Sequence, residues 1–244
     1  VIRFSFVHAS KIIYAMSIIK DNIHRILQEL PPGAQLVVVA KERSVPELLE
    51  AIDGGAQIIG ENYVQEAGLA YAAIVNKVQW HFIGHLQKNK VKKAVELFDM
   101  IETVDSLELA RELNKRCASI NKIMPVLIEV NSAREKSKTG VMPENVILLA
   151  RELSNLANVK LVGLMTMGAS SGDAEECRQY FSLTRNLFEE IKQLNLPNTE
   201  IKYLSMGMTD SYRVALEEGA NIVRIGTGIF GSPKSYLKTI VNNL

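Results

Sequence analysis

The chain has 244 residues, 47% hydrophobic and 23% charged, with a formal net charge of +1. This is an ordinary globular composition, and so small a net charge excludes recruitment of nucleic acid or an anionic membrane by a global field. At the N-terminus Arg3, His8 and Lys11 interrupt the apolar residues, so no stretch approaches the roughly 20 apolar residues of a spanning helix. A signal peptide needs one unbroken apolar core followed by a small-residue cleavage site, and that order is not clear here. The expectation is that Met16 is the natural start and that residues 1–15 are an extension. From there Ile19, Ile23, Ile26, Leu27 and Leu30 recur at helical spacing until Pro31, Pro32 and Gly33 stop the helix.

Strand-like and helix-like segments then alternate. Strands are predicted at 36–40, 57–60, 79–84, 100–104, 125–131, 159–166, 201–207 and 221–227. Helices are predicted between and after them, at about 46–54, 62–76, 87–98, 106–119, 143–156, 174–194, 210–218 and 232–242. Ser44 or Pro46, Asp105 or Ser106, Pro143 and Asp173 supply N-terminal helix signals. Eight successive βα units imply a parallel sheet and fit a closed (β/α)₈ TIM barrel, an α/β fold, as one domain over 16–244 with one extra N-terminal helix. An open doubly wound sheet is the alternative. The extra helix is expected to cover the barrel bottom or a flank. Cys117 and Cys177 lack metal-ligand spacing and read as free thiols of a reducing cytoplasm.

In a barrel, chemistry collects where the strands end at their C-termini. Lys41 follows the first strand, Asn62 the second, His85 the third and Asn131 the fifth. Met165 and Thr166 end the sixth, Ser205 lies in the seventh, and Arg224, Gly226, Thr227 and Gly228 close the eighth. Lys41 has two readings: a strand-end lysine that snorkels to solvent, or an amine whose apolar surroundings free it as a nucleophile toward an aldehyde. The glycines of "VRIGTGIFG" serve either barrel closure or phosphate binding by bare amides, with Ser205 adding a hydroxyl. Arg224 shares a strand face with Gly226 and either meets a ligand at the mouth or makes a salt bridge inside the barrel. Lys88, Lys90, Lys92 and Lys93 read as a solvated helix face; Arg134, Lys136 and Lys138 follow strand five on the functional side. His81, Trp80 and Phe82 read as core residues of strand three, while His85 is left open.

The blocks "VVVAK", "GENYVQE", "WHFIGHLQKNK", "ETVDS", "GLMTMG", "LSMGMTDS" and "VRIGTGIFG", in order from about 36 to 232, resemble the YggS/PROSC-like pyridoxal phosphate homeostasis proteins. The resemblance implies a fold type III barrel, like the barrel domain of alanine racemases, carrying pyridoxal 5′-phosphate as an internal aldimine on Lys41. It also implies phosphate contacts from Ser205 and the backbone of Gly226 and Thr227, with Arg224 at the pyridine nitrogen and Asn62 and Met165 beside the ring. Thr209 stands where the family's commonest form has serine and keeps the hydroxyl. A charged arginine disfavours protonation of the pyridine nitrogen, which weakens the electron sink.

Two functions compete on this basis. The first is a carrier that buffers the cofactor and delivers it to apo-enzymes that depend on it, as a monomer, with no catalytic residue. The second is an amino-acid racemase, which needs two bases on opposite faces of the substrate carbon. Lys41 is one candidate, and Tyr63 and Tyr212 are candidates for the other. The expectation is that no second domain fits after the eighth unit. A third reading is a sugar-phosphate barrel that uses Lys41 without pyridoxal phosphate.

Overall fold

The computed structural model describes residues 6–74, 77–168 and 173–232. Helix α1 (Phe6–Glu29) leads into β1 (Gln35–Val39), α2 (Val45–Asp53), β2 (Ile58–Glu61), α3 (Val64–Ile74) and β3 (Gln79–Phe82). The alternation continues through α4 (Val91–Leu97), β4 (Met100–Val104), α5 (Leu107–Ala118), β5 (Met124–Val130), α6 (Val146–Leu153) and β6 (Val159–Thr166). It ends with α7 (Arg178–Gln193), β7 (Thr199–Ser205), α8 (Tyr212–Glu217), β8 (Ile222–Ile225) and the short α9 (Thr227–Phe230).

The strands form a closed barrel in sequence order, β8 pairing in parallel with β1. The open doubly wound alternative is thereby excluded. Helix α9 starts where the sequence pattern continues strand eight, and the helix expected over 232–242 lies largely outside the described residues. Helix α1 covers a flank: Ile19, Ile23 and Ile26 are buried, and Asn22 donates to the Ile229 carbonyl at 3.0 Å. Its last residue, Glu29, accepts from the Tyr212 hydroxyl and from Arg213, so α1 spans from α2 to α8 and α9. Among the described residues no helix is long and apolar enough to cross a membrane.

Strand alternation sorts the side chains into two layers. Leu36, Val38, Ala40, Ile59, Trp80, Phe82 and Ile101 face the helices in the main core. Val37, Ile58, Ile83 and Ile222 fill the barrel on one side, and Met100, Leu127, Val162 and Met165 on the other, with Tyr203 touching both groups. Val162 and Met165 lie three apart, which regular alternation would put on opposite faces. A register irregularity between Leu161 and Gly163 turns Met165 inward. Gly163 is required there: its φ is +155° and a Cβ would lie 1.8 Å from the Tyr203 carbonyl oxygen.

Candidate functional site

Register brings β1 and β8 together at the barrel mouth. Val38 pairs with Ile225, so the chain reaches Lys41 on one strand as it reaches Gly226 and Thr227 on the other. Gly226 packs directly on β1, where an added Cβ would lie 3.2 Å from Val39 Cβ. Lys41 is exposed and sits in a turn closed by Arg43 N–H on the Ala40 carbonyl at 2.9 Å. The next residue, Glu42, takes a left-handed φ of +59° without being glycine. Arg43 ties this turn across the mouth: Nη2 donates to the Gly231 carbonyl at 2.7 Å and the guanidinium lies 4.9 Å from the Phe230 ring centre. Ser44 and Glu47 then start α2 with a capping box.

On the β8 side three polar groups converge. The Thr209 hydroxyl accepts from Gly228 N–H at 3.0 Å and lies 2.9 Å from the Thr227 hydroxyl. Gly207 lets the preceding chain turn this way with φ +88°, and its absent Cβ would lie 2.7 Å from Tyr212 Cα. Ser205 is elsewhere. Its hydroxyl points into the barrel, donates to Glu102 Oε2 at 2.6 Å and accepts from Arg224 Nη1 at 2.5 Å. Among the described residues, the hydroxyl hydrogen-bonded to the strand-eight loop is that of Thr209.

Beneath the mouth lies a buried polar chain. His81 Nδ1 is 2.7 Å from Glu102 Oε1, and Arg224 extends the chain from Ser205 to the Thr166 carbonyl, 2.8 Å from Nη2. Burial works to raise the Glu102 carboxyl, but His81, Arg224 and Ser205 together hold it below the usual carboxylate range. Burial likewise opposes the charge of Arg224, and Glu102 and then Glu129 counter it. Arg224 is thus hydrogen-bonded inside the barrel with Glu102 as its main counter-charge, and it stands two residues before the loop at Gly226. His81 is the hydrogen-bonded core residue its strand position implies, and Trp80 and Phe82 are packing residues.

Asn62 and Met165 stand at the C-terminal ends of β2 and β6. Asn62 follows β2, which pairs with β1 through Val39 and Gly60; its backbone abuts Gly84, where a Cβ would be 2.3 Å from the Asn62 carbonyl oxygen. Met165 is paired in register with Ser205. Asn62 also lines a cavity of ≈ 280 Å³ that runs over the ends of β3, β5 and β6 and includes Glu129, Asn131 and Thr166. Glu102 opens the block "ETVDS" but carries no assigned role there, and Glu129 carries no motif that marks it. Their shared sequence signal is a carboxylate inside an apolar strand, at Met100–Val104 and Met124–Val130.

Comparison with known proteins places the chain in a family and a fold. The alanine racemase N-terminal domain model matches residues 15–233. A pyridoxal phosphate homeostasis protein of Pasteurella multocida is 40% identical over 220 residues, 88% of this chain and 94% of its own. The human protein of that name is 36% identical over 227 residues, 87% of this chain and 82% of its own. PipY of Synechococcus elongatus, solved with PLP bound, superposes with a TM-score of 0.81 at 32% identity, covering 87% of this chain and all (100%) of PipY. Alanine racemase of Clostridium difficile shares the fold at TM-score 0.74 and 15% identity, and the match spans 90% of this chain and 57% of the racemase. The chain belongs to the pyridoxal phosphate homeostasis proteins, built on the barrel of the alanine racemase N-terminal domain.

Proposed function

We propose that this protein holds pyridoxal 5′-phosphate at the barrel mouth, as a Schiff base on Lys41, and serves to buffer and hand on the cofactor. The observation that carries this is the β1–β8 register, which sets an exposed amine beside a cluster of hydroxyls and a backbone amide. An aldehyde needs the first and a phosphate the second. In this reading Arg224, two residues before Gly226, meets the pyridine ring, with Met165, paired in register with Ser205, and Asn62, after β2, as its neighbours. Thr209, Thr227 and the backbone at Gly226 and Gly228 hold the phosphate, and Arg224 faces the pyridine nitrogen. Ser205 acts from below, fixing the Arg224 guanidinium between itself and the Thr166 carbonyl. When bound, the cofactor supplies an electrophilic carbon that the amine of Lys41 holds reversibly.

Holding is favoured over turnover by what the second base would have to be. The Tyr212 hydroxyl is bound to Glu29 of α1, on the helix layer. Tyr63 is half exposed beyond β2, and among the described residues no hydrogen bond holds its hydroxyl toward Lys41. The names of the relatives favour homeostasis. We assign the protein to the cytoplasm as a monomer, its buried free cysteines suiting a reducing compartment, with apo-enzymes that require the cofactor as recipients. The test is a chiral assay of L- and D-alanine with the loaded protein, beside transfer of cofactor to an apo-enzyme. Faster reconstitution than with free cofactor at equal concentration, without racemisation, is expected. Robust racemisation, or reconstitution no different from free cofactor, overturns the carrier reading.

A further inference from the structure

Helix α1 ties together the two arms of the loop at the β8 side of the mouth. One arm is the turn that carries Thr209; the other is the start of α9, with Thr227 and Gly228. Neither arm has much to hold it. Helix α9 is one turn of four residues and α8 has six, below the roughly 12 at which a helix begins to hold itself in water. Helix α1 has 24 residues and is anchored by buried Ile19, Ile23 and Ile26. Its Asn22 donates to the Ile229 carbonyl, one of the α9 carbonyls that a helix end leaves without an internal partner. Two turns on, Glu29 accepts from the Tyr212 hydroxyl, and from Arg213 Nε at 3.0 Å and Nη2 at 3.1 Å. Tyr212 in turn closes the Thr209 turn: its N–H donates to the Met208 carbonyl at 2.8 Å, and its Cα would lie 2.7 Å from a Cβ added at Gly207. Asn22 and Glu29 lie on one face, about 10 Å apart along the axis. One long helix thus fixes the spacing of both arms.

We propose that Asn22 and Glu29 are positioning residues for the phosphate site, and that α1 is the clamp that sets how long the cofactor stays. The inference rests on the reading above, in which Thr209, Thr227 and the backbone at Gly226 and Gly228 hold the phosphate. Glu29 acts through Tyr212 on the Thr209 turn, and Asn22 acts through Ile229 on α9. A phosphate needs its donors at one spacing. Arms released from α1 must be ordered again at each binding event, and that cost is taken from the affinity. The effect falls on ligands that carry a phosphate, which separates a clamp from general support of the fold.

The test compares pyridoxal 5′-phosphate with pyridoxal, which keeps the ring and the aldehyde and lacks the phosphate. Binding of each is followed by the visible band in the unaltered protein, in Glu29→Ala and in Asn22→Ala. The phosphate compound should bind about tenfold more weakly to Glu29→Ala and about fivefold more weakly to Asn22→Ala, mostly through faster release. Pyridoxal should change by less than about twofold in either. Asn22→Ala removes one neutral hydrogen bond and leaves the Glu29 contacts in place, so it decides the matter if Glu29→Ala does not fold. Equal losses for the two ligands, or no loss for either, overturn the clamp while leaving the held cofactor intact. An unaltered protein with no preference for the phosphate compound overturns the phosphate site and the clamp with it. No visible band in the unaltered protein overturns the Schiff base, and with it the retention that the clamp would set.

Discussion

Glu61 gives a quantitative handle on the strand-end chemistry. It lies between Gly60 and Asn62, is buried, and has Oε2 without a partner. Burial, with Glu66 adding repulsion and the Asn62 amide opposing, pushes its carboxyl from 4.5 to about 8. A value raised on folding means that stability is full below the ordinary carboxylate range, falls as pH rises, and levels off above about 8. Linkage over that shift costs about 1 kcal/mol at pH 5 and about 4 kcal/mol at pH 8, a loss of about 3 kcal/mol between them. Glu61→Gln keeps the shape and removes the ionisation. Urea unfolding of both proteins at pH 5, 6.5 and 8 should show the variant gaining on the parent by that amount, with equal m-values. All other groups titrate alike in the two chains, so the difference isolates Glu61. Curves that run parallel across this range refute the reasoning.

Other consequences follow from the polar interior and the loop beside Lys41. Glu102→Gln removes the main counter-charge to the buried Arg224 and should destabilise the fold by about 3–5 kcal/mol; a loss under about 1 kcal/mol in urea unfolding contradicts the counter-charge account. Thr209→Val removes the hydroxyl that meets Gly228 and Thr227. It should weaken pyridoxal phosphate binding by about tenfold in a fluorescence titration, one hydrogen bond to a charged group. Ser205→Ala should weaken that binding less than Thr209→Val and lower stability more, since its hydroxyl bridges Glu102 and Arg224. The reverse order of the two variants argues for Ser205 at the phosphate.

The barrel was legible in the sequence because each βα unit carries its own signals: apolar strands and helical periodicity recur eight times, and several helices add a capping residue or proline at the start. Closure was legible only as arithmetic, since pairing of β8 with β1 is a contact 187 residues apart at Val37 and Arg224. Three features resisted reading. The inward turn of Met165 depends on a register irregularity at Gly163 that no periodic pattern reveals. Ser205 and Thr209 are both hydroxyls in one loop-bearing block, and only three-dimensional placement separates the one facing Glu102 from the one facing Gly228. Glu102 and Glu129 sit inside apolar strands, where composition alone gives no partner; their meaning lies in Arg224 and in the cavity. Placement of α1 on a flank likewise rests on Glu29 and Asn22 contacts that span most of the chain.

The central claim concerns the Lys41 amine, and one measurement reaches it directly. The protein is loaded with pyridoxal 5′-phosphate, reduced with borohydride, digested, and the modified peptide is mapped by mass spectrometry beside the Lys41→Ala variant. The account predicts loss of the visible band on reduction, a phosphopyridoxyl group on Lys41, and neither band nor label at that turn in the variant. An undiminished band in Lys41→Ala, or a label confined to other lysines in the unaltered protein, contradicts it.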